Sequence, residues 1–269
     1  MKHGKGSTHW CAGDNDTNAL CKARESQKEQ PLIYDPQSVE IVNRLDYDFT
    51  AADKDFKMSA GVIARTILLD AMTKRYIDEH PDATVINIAC GMDTRVYRVD
   101  NGKIRWFNLD LPETIAVRKQ FLQEEGRISM IAASAMDEAW TASIGTVTGD
   151  LLVIVEGLTM YLTEQNVKQM LDIIASNFET CSVTVFLEYM SPLVVKHVKE
   201  KSIDQSGAKF TWGAASGADI CRLSPAFHLT EDRSLVEGMA AMYPIYKVIG
   251  KIKPIRNLSN KIAVMEKTV

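Results

Sequence analysis

The 269-residue sequence contains no long apolar run. Its longest dense run, Leu151 to Val155, has the length of a strand, whereas a helix that spans a bilayer needs about 18 residues. The N-terminus from Met1 to Thr8 has no apolar core of the kind that a signal peptide requires. A net charge of −4 provides no basic surplus for binding nucleic acid. We therefore expect a cytoplasmic protein with neither a membrane nor a nucleic acid as partner.

Cysteine is scarce, and no two cysteines form a CxxC pair. The five are Cys11, Cys21, Cys90, Cys181 and Cys221. An odd number of widely spaced cysteines is typical of free thiols in a reducing compartment, rather than of a zinc site or a disulfide framework. No cluster of acidic or histidine residues resembles a metal-binding motif, so we expect no metal site.

Segments rich in β-branched residues alternate with amphipathic segments along most of the chain. Strands are predicted at 84–89, 105–110, 128–132, 151–156 and 183–188, with closing strands at 227–229 and 261–265. Helices are predicted at 60–79, 112–125 and 163–176, with two short helices between 18 and 45. Strands that alternate with helices favour an α/β fold, in which helices cover both faces of a mostly parallel sheet.

The end of the first predicted strand carries the clearest ligand signal. The segment 89–95 follows this strand, and Asp110 ends the second. Ligands bind beyond the carboxyl ends of such strands, glycine permits close backbone approach, and a carboxylate can accept hydrogen bonds from ribose hydroxyls. Only Gly91 is present where a dinucleotide site has G-x-G-x-x-G, which favours a cofactor without pyrophosphate, such as S-adenosylmethionine. The alternative is a plain turn, with Asp110 capping a helix before Pro112.

Residues 86–98 (INIACGMDTRVYR) resemble the signature of the leucine carboxyl methyltransferase family, which includes the tetracenomycin-type polyketide O-methyltransferases. Four more segments match this family in order. They are Arg65-Thr66 with Asp70, Asp110-Leu111-Pro112-Glu113, Glu156 to Leu162, and, more weakly, Lys22 to Ser26 followed by Asp35-Pro36. Trp212-Gly213 extends the resemblance to about residues 19–215. Ala89 replaces the usual first glycine, and because its methyl group is small we expect the backbone to hold.

The resemblance implies a Rossmann-like, mostly parallel seven-stranded sheet with helices on both faces, N-terminal helices and a C-terminal lid or insertion. We expect a flexible N-terminus at 1–18 and a single methyltransferase domain at 19–269. That domain would comprise an N-terminal helical part at 19–80, a cofactor-binding core at 84–190 and a lid or acceptor-site insertion at 191–225.

The resemblance also assigns the methionine end of S-adenosylmethionine. Arg65 would bind the methionine carboxylate, because a guanidinium can grip a carboxylate through two parallel hydrogen bonds. Lys22 would assist from the N-terminal helix. Ala89 and Gly91 would lie under the methionine part, where the backbone approaches closely.

The remaining roles concern the nucleoside and the acceptor. Asp110 would hold the ribose and Leu111 would pack on the adenine, while Ser134 and Ala135 would lie at the adenine edge. Two residues are catalytic candidates at the methyl acceptor. They are Glu156, which could instead contact the cofactor's amino group, and Tyr161, which could orient an acceptor oxygen.

A carboxylate acceptor is ionised at neutral pH and needs no base, whereas a hydroxyl acceptor does. His197 and His228 lie in the C-terminal half, where we expect the acceptor site, but a structural role is favoured for both. We therefore expect O-methylation of a carboxylate, or else a hydroxyl, on a small-molecule natural product or a peptide. The alternatives are a nicotinamide-dependent oxidoreductase and a non-catalytic domain that binds a cofactor or a partner. The oligomeric state stays open.

Overall fold

One seven-stranded sheet organises the chain. The computed structural model describes residues 14–45, 56–197 and 209–268. The strands are β1 Thr84–Ile88, β2 Arg105–Asp110, β3 Ile128–Ala132, β4 Leu151–Val155, β5 Val183–Tyr189, β6 His228–Ser234 and β7 Lys261–Lys267. Their order is β3-β2-β1-β4-β5-β7-β6. The first five strands are parallel, and β7 runs antiparallel to both β5 and β6. The predicted α/β, seven-stranded, mostly parallel sheet is confirmed.

Helices surround this sheet. They are α1 Asp14–Ser26, α2 Pro36–Arg44, α3 Phe56–Glu79, α4 Val96–Val99, α5 Pro112–Phe121, α6 Glu164–Asn177, α7 Pro192–His197, α8 Gly217–Leu223, α9 Val236–Met242, α10 Tyr246–Ile249 and α11 Lys253–Asn257. Short 3-10 helices span Glu138–Ser143 and Thr159–Tyr161. Among the described residues, no helix combines the length and the apolar character needed to cross a membrane.

The flexible N-terminus was predicted at 1–18, and helix α1 begins within it at Asp14. Thr17 and Ala19 of this helix are buried. Residues 1–13 lie outside the described ranges. Part of the predicted lid, 198–208, does so too, and its described parts are α7, α8 and the loop between 209 and Ser216.

The sheet is buried on both faces, which explains its apolar strands. All five residues of β4 are buried. Because neighbouring side chains of a strand point to opposite faces, Val153 packs into the cluster around Trp140 and Met170. Ile154 packs into the opposite cluster, which contains Trp106. The continuous apolar strands therefore follow from a sheet between two helical layers.

The connection between β6 and β7 lies at the carboxyl edge of the sheet. Ser234 and Tyr189 both pair with Lys261, so β6 ends level with the end of β5. The connecting residues 235–260 therefore leave and return at the edge where ligands bind in this fold. Helix α9 packs against α3, and a Cβ on Gly238 would lie 1.9 Å from the carbonyl oxygen of Ala64. Only glycine permits this close approach.

Candidate functional site

The loop after β1 brings three predicted cofactor residues together. Ala89 and Gly91 both have left-handed backbone conformations, with φ of +53° and +47°. The Gly91 amide donates to Oδ2 of Asp110 at 2.7 Å, which ties the loop to the end of β2. The guanidinium of Arg118 donates to the Gly91 carbonyl at 2.8 Å. Hydrogen bonds thus hold the loop at both the amide and the carbonyl of Gly91.

Ala89 is the position where the sequence departs from the family pattern. The backbone keeps the left-handed turn, as expected, but an L-residue with a Cβ incurs about 1–2 kcal/mol in this conformation. Ala89 is the single non-glycine residue with positive φ in the described part of the chain. The substitution therefore places local strain directly at the candidate cofactor site.

The end of β2 offers a carboxylate beside an exposed apolar side chain. Burial raises the pKa of Asp110, and hydrogen bonds from the Gly91 and Leu111 amides oppose this shift. Leu111 is 44% exposed although it is apolar. A carboxylate that can accept from hydroxyls, next to an exposed apolar side chain, provides the acceptor and the apolar surface that a nucleoside requires.

Arg65, on α3, lies between two carboxylates. Its Nη1 donates to Glu188 at 3.2 Å, and its Nη2 donates to Oδ1 of Asn18 at 3.1 Å. Its Nε lies 2.6 Å from Oε1 of Glu156, but in a direction that does not make a hydrogen bond. Nε still forms a close ion pair with Glu156, so carboxylates hold the guanidinium of Arg65 on two sides.

Arg95 is fully buried and holds three carboxylates. Its guanidinium donates to Asp70 at 2.9 Å, to Asp93 at 2.8 Å and to Glu156 at 2.6 Å. Burial acts to raise the pKa of Glu156, but the charges of Arg95 and Arg65 outweigh it and lower that pKa. Glu156 is therefore an ionised carboxylate between two guanidinium groups.

Lys22 joins the same charged cluster. Its Nζ donates to Oγ1 of Thr94 at 3.3 Å and lies 3.5 Å from Oδ1 of Asp93. Arg98 extends the cluster by donating to Asp35 at 2.6 Å. The cluster has four cationic and five carboxylate side chains, which leaves one negative charge. They are Lys22, Arg65, Arg95 and Arg98, with Asp35, Asp70, Asp93, Glu156 and Glu188.

Glu188 is a site residue to which the sequence reasoning assigned no role. Its side chain is fully buried on β5. Besides Arg65, it accepts from the Gly157 amide at 2.8 Å and from Nδ2 of Asn260 at 2.9 Å. It therefore fixes Arg65 relative to the loop after β4 and the start of β7. The signal was available, since Glu188 follows the apolar run of β5 just as Glu156 follows that of β4.

A second buried network behind the Gly91 loop was also missed. Arg118 pairs with Glu124 at 2.5 Å, and Nδ2 of Asn108 donates to Glu124 at 2.9 Å. Asn87 lies opposite Asn108 in the register of β1 and β2 and donates to it at 3.3 Å. Two asparagines within apolar strands were the sequence signal for this network.

The loop after β3 lies beside Asp110. The Ala133 amide donates to the Asp110 carbonyl at 2.9 Å. The next residue, Ser134, accepts from the Met136 amide at 3.2 Å through Oγ, and both Ser134 and Ala135 are half-buried. The structure thus brings these two candidates close to Asp110. Asp137 caps the following 3-10 helix by accepting from the Ala139 amide.

Tyr161 lies on the other side of Glu156, in a small apolar cluster. Its ring centroid is 5.6 Å from that of Phe210. The cluster also contains Met160, Met190, Val194 and Val195. It joins the loop after β4 to the described ends of the predicted lid.

The described imidazoles lie far from this apolar cluster along the strands. His80 is 2.9 Å from Asp150, which directly precedes β4. His228 begins β6 and pairs with Glu266, level with Thr184. Both therefore lie at the amino edge of the sheet, which agrees with the structural role favoured for His228. The His197 side chain and residues His3 and His9 lie outside the described part.

The comparisons with known proteins agree with this geometry. The leucine carboxyl methyltransferase family model matches residues 17–175, more than half of the 269-residue chain. The tetracenomycin polyketide synthesis O-methyltransferase TcmP of Streptomyces glaucescens is 29% identical over 236 residues, covering 85% of each chain. The S-adenosyl-L-methionine-dependent methyltransferase dpfgK of Gibberella zeae is 28% identical over 214 residues, covering 72% of each.

Solved structures show the same fold at low identity. Magnesium protoporphyrin IX methyltransferase from Synechocystis PCC 6803 superposes with a TM-score of 0.50 at 9% identity, covering 80% of this chain and 88% of that one. The methyltransferase domain of bacterial CtHen1 also gives 0.50, at 12% identity, covering 77% and 100%. Given the family match over residues 17–175, this chain belongs to the leucine carboxyl methyltransferase family and is an S-adenosylmethionine-dependent methyltransferase.

Proposed function

We propose that this enzyme methylates an oxygen of a small-molecule or peptide acceptor, and that this oxygen belongs to a carboxylate. The observation that carries the proposal is the state of Glu156, the carboxylate at the end of β4. Arg65 and Arg95 lower its pKa by their charges, against the effect of burial. A carboxylate with a lowered pKa is a poor general base. An acceptor that is already ionised needs none.

The described histidines support the same assignment. His80 and His228 lie at the amino edge of the sheet, so neither can take a proton from an acceptor at the carboxyl edge. A hydroxyl acceptor would require such a base. A hydroxyl is the second candidate, because the His197 side chain lies outside the described residues.

The cofactor roles follow from the chain's own residues. Asp110 would accept from the ribose hydroxyls, and Leu111 would cover the adenine, with Ser134 and Ala135 at its edge. Arg65 would bind the methionine carboxylate, while Glu156 would face the amino group. When bound, S-adenosylmethionine supplies a methyl group already activated on a sulfonium.

The chain's task is therefore to align acceptor and donor and to exclude water. The cluster that contains Tyr161, Met160 and Phe210 is apolar and lies next to the loop that carries Glu156. An apolar wall of this kind suits an acceptor with an aromatic or aliphatic body. Tyr161 would then orient the acceptor oxygen.

The experiment uses methyl-labelled S-adenosylmethionine with carboxylic acids and their matched phenols. A methyl ester releases volatile methanol in mild alkali, whereas a methyl ether does not. Transfer to acids alone, with a rate that persists well below neutral pH and falls near the acceptor's own pKa of about 4, supports the proposal. Alkali-stable product, with a rate that climbs steadily from about pH 6 to 9, would indicate a hydroxyl acceptor instead.

Tyr161→Phe tests the acceptor side of the site. We expect it to raise the KM for the acceptor and leave cofactor affinity unchanged. Tyr34→Phe is the matched control, because Tyr34 is 70% exposed and lies outside the site. Equal acceptor kinetics in the two variants would remove Tyr161 from the acceptor site. No transfer to any acid or phenol, together with intact cofactor binding, would argue for the binding-domain alternative.

A further inference from the structure

The connection between β6 and β7 has a charge opposite in sign to that of the chain as a whole. No Asp or Glu occurs from Gly238 to Met265, although the chain has a net charge of −4. The same stretch contains five cationic residues. They are Lys247, Lys251, Lys253, Arg256 and Lys261. We call the part from Tyr243 to Leu258 the basic cap.

The basic cap also exposes large apolar side chains. Ile245 is 59% exposed, Val248 67%, Ile252 50% and Leu258 63%. These four are half of the eight large hydrophobic side chains that are exposed in the described residues. Single exposed leucines or valines need no explanation, but four exposed aliphatic side chains within 14 residues of chain favour a partner.

Two cations of the basic cap are available to a partner. Lys247 and Lys251 are exposed, and neither has an acidic group within ion-pair distance in the described part of the chain. Arg256 is 3.5 Å from Glu237, which it shares with Arg233. The cap therefore presents positive charge that the protein itself does not neutralise.

We propose that the basic cap docks on the surface of an anionic lipid bilayer. Lys247 and Lys251 alternate along the chain with the exposed Ile245, Val248 and Ile252. A bilayer interface offers this combination, since anionic headgroups attract the cations and the acyl boundary accepts the apolar side chains. An acidic protein surface would pair with the cations but would not bury the four separate aliphatic side chains. We expected no membrane partner because the sequence has no segment long enough to span a bilayer, and docking on the surface needs no such segment.

The position of the basic cap adds a functional reason for docking. Residues 235–260 begin and end at the carboxyl edge of the sheet, and Asn260 donates directly to Glu188 beside Arg65. Docking would therefore place the carboxyl edge of the sheet near the bilayer, where acceptors with an aliphatic or aromatic body concentrate. The docking itself does not depend on whether the acceptor oxygen is a carboxylate.

The test is sedimentation of the full chain with vesicles of phosphatidylcholine alone or mixed with phosphatidylglycerol. We expect binding to the anionic vesicles only, weakened by added salt. Each Lys or Arg near such a surface contributes roughly fivefold to binding, so the double variant Lys247→Gln with Lys251→Gln should bind about 25-fold more weakly. Val248→Ser with Leu258→Ser should also reduce binding, because it removes the apolar contact.

Matched controls lie elsewhere on the surface. Lys103→Gln with Lys119→Gln removes two exposed cations, and Leu32→Ser removes an apolar side chain that is 49% exposed. Both should bind vesicles as the wild type does, and all variants should keep the wild-type unfolding temperature. Equal binding of the cap and control variants would overturn the proposal. Failure of the wild type to bind anionic vesicles would overturn it too, as would a dimer in ultracentrifugation that only the cap variants lose.

Discussion

Replacing Ala89 by glycine tests whether the loop after β1 is strained. Ala89 has φ of +53°, a conformation that costs an L-residue about 1–2 kcal/mol and costs glycine almost nothing. Two effects oppose the gain. Glycine adds about 0.4–1 kcal/mol of unfolded-chain entropy, and losing a half-buried methyl group costs about 0.4 kcal/mol. We expect Ala89→Gly to raise the free energy of unfolding by about 0.5 kcal/mol.

Ala133→Gly is the matched control. Ala133 is also half-buried, packs against the same core cluster and lies at the same edge of the sheet, but it has no positive φ. Its glycine variant has no strain to relieve and should lose about 1 kcal/mol. The difference between the two variants, about 1–2 kcal/mol, therefore measures the strain at Ala89.

Urea unfolding measures the difference in the free energy of unfolding between the two variants directly. The slope of each transition is compared with that of the wild type. In a thermal scan the two midpoints should differ by roughly 4 °C, since a domain of this size shifts by about 2–4 °C per kcal/mol. If Ala89→Gly loses as much stability as Ala133→Gly, the left-handed turn carries no strain and the reasoning fails. Cofactor affinity, measured by calorimetry, should be at least as high in Ala89→Gly.

The other predictions concern the charged residues. Asp110→Ala should weaken S-adenosylmethionine binding by about 1.5–3 kcal/mol, and unchanged affinity by calorimetry would remove Asp110 from the ribose role. Arg65→Lys should weaken it too, because one ammonium cannot serve two glutamates and an asparagine; wild-type affinity would make Arg65 structural. Glu188→Gln should raise the KM for cofactor and lower the free energy of unfolding by about 1–3 kcal/mol. An unchanged KM would mean that Glu188 contributes to stability only. The pKa values of Asp93 and Glu156 are lower in the folded protein than in the unfolded chain. The two ionised carboxylates therefore stabilise the fold above a pH of about 4, and this contribution is lost as the pH falls further. In an acid titration, the free energy of unfolding of Asp93→Asn should decrease less than that of the wild type.

The sheet could be predicted from the sequence because its central strands are buried on both faces and are therefore continuous apolar runs. A run such as Leu151 to Val155 has one interpretation in an α/β pattern, and its bounds agree with β4. Strand β6 was predicted less well. Its residues from His228 to Glu231 alternate between exposed and half-buried positions at the end of the sheet. An edge strand lacks the continuous apolar pattern, so its length was underestimated.

The candidate site could be predicted only where a residue stands next to its strand end. Ala89 and Glu156 directly follow a strand, Asp110 ends β2, and Gly91 lies in the loop after β1. The parallel topology brings all four to one edge. Arg65 was inferred from the resemblance alone. Its neighbour Glu188 lies 123 positions away in sequence. No local pattern reports such a pairing, because it depends on how α3 crosses the sheet.

The charge balance of the cluster explains why the site suits a zwitterion. Every buried charge here has a partner of opposite sign, and removing one partner of a buried pair costs several kcal/mol. A purely anionic ligand at Arg65 would compete with Glu156 and Glu188 for the same guanidinium. Under the proposed assignment, a methionine moiety adds a carboxylate at Arg65 and an amino group at Glu156, so both signs are matched. The one negative charge left over in the cluster then favours the sulfonium of S-adenosylmethionine over its neutral thioether product.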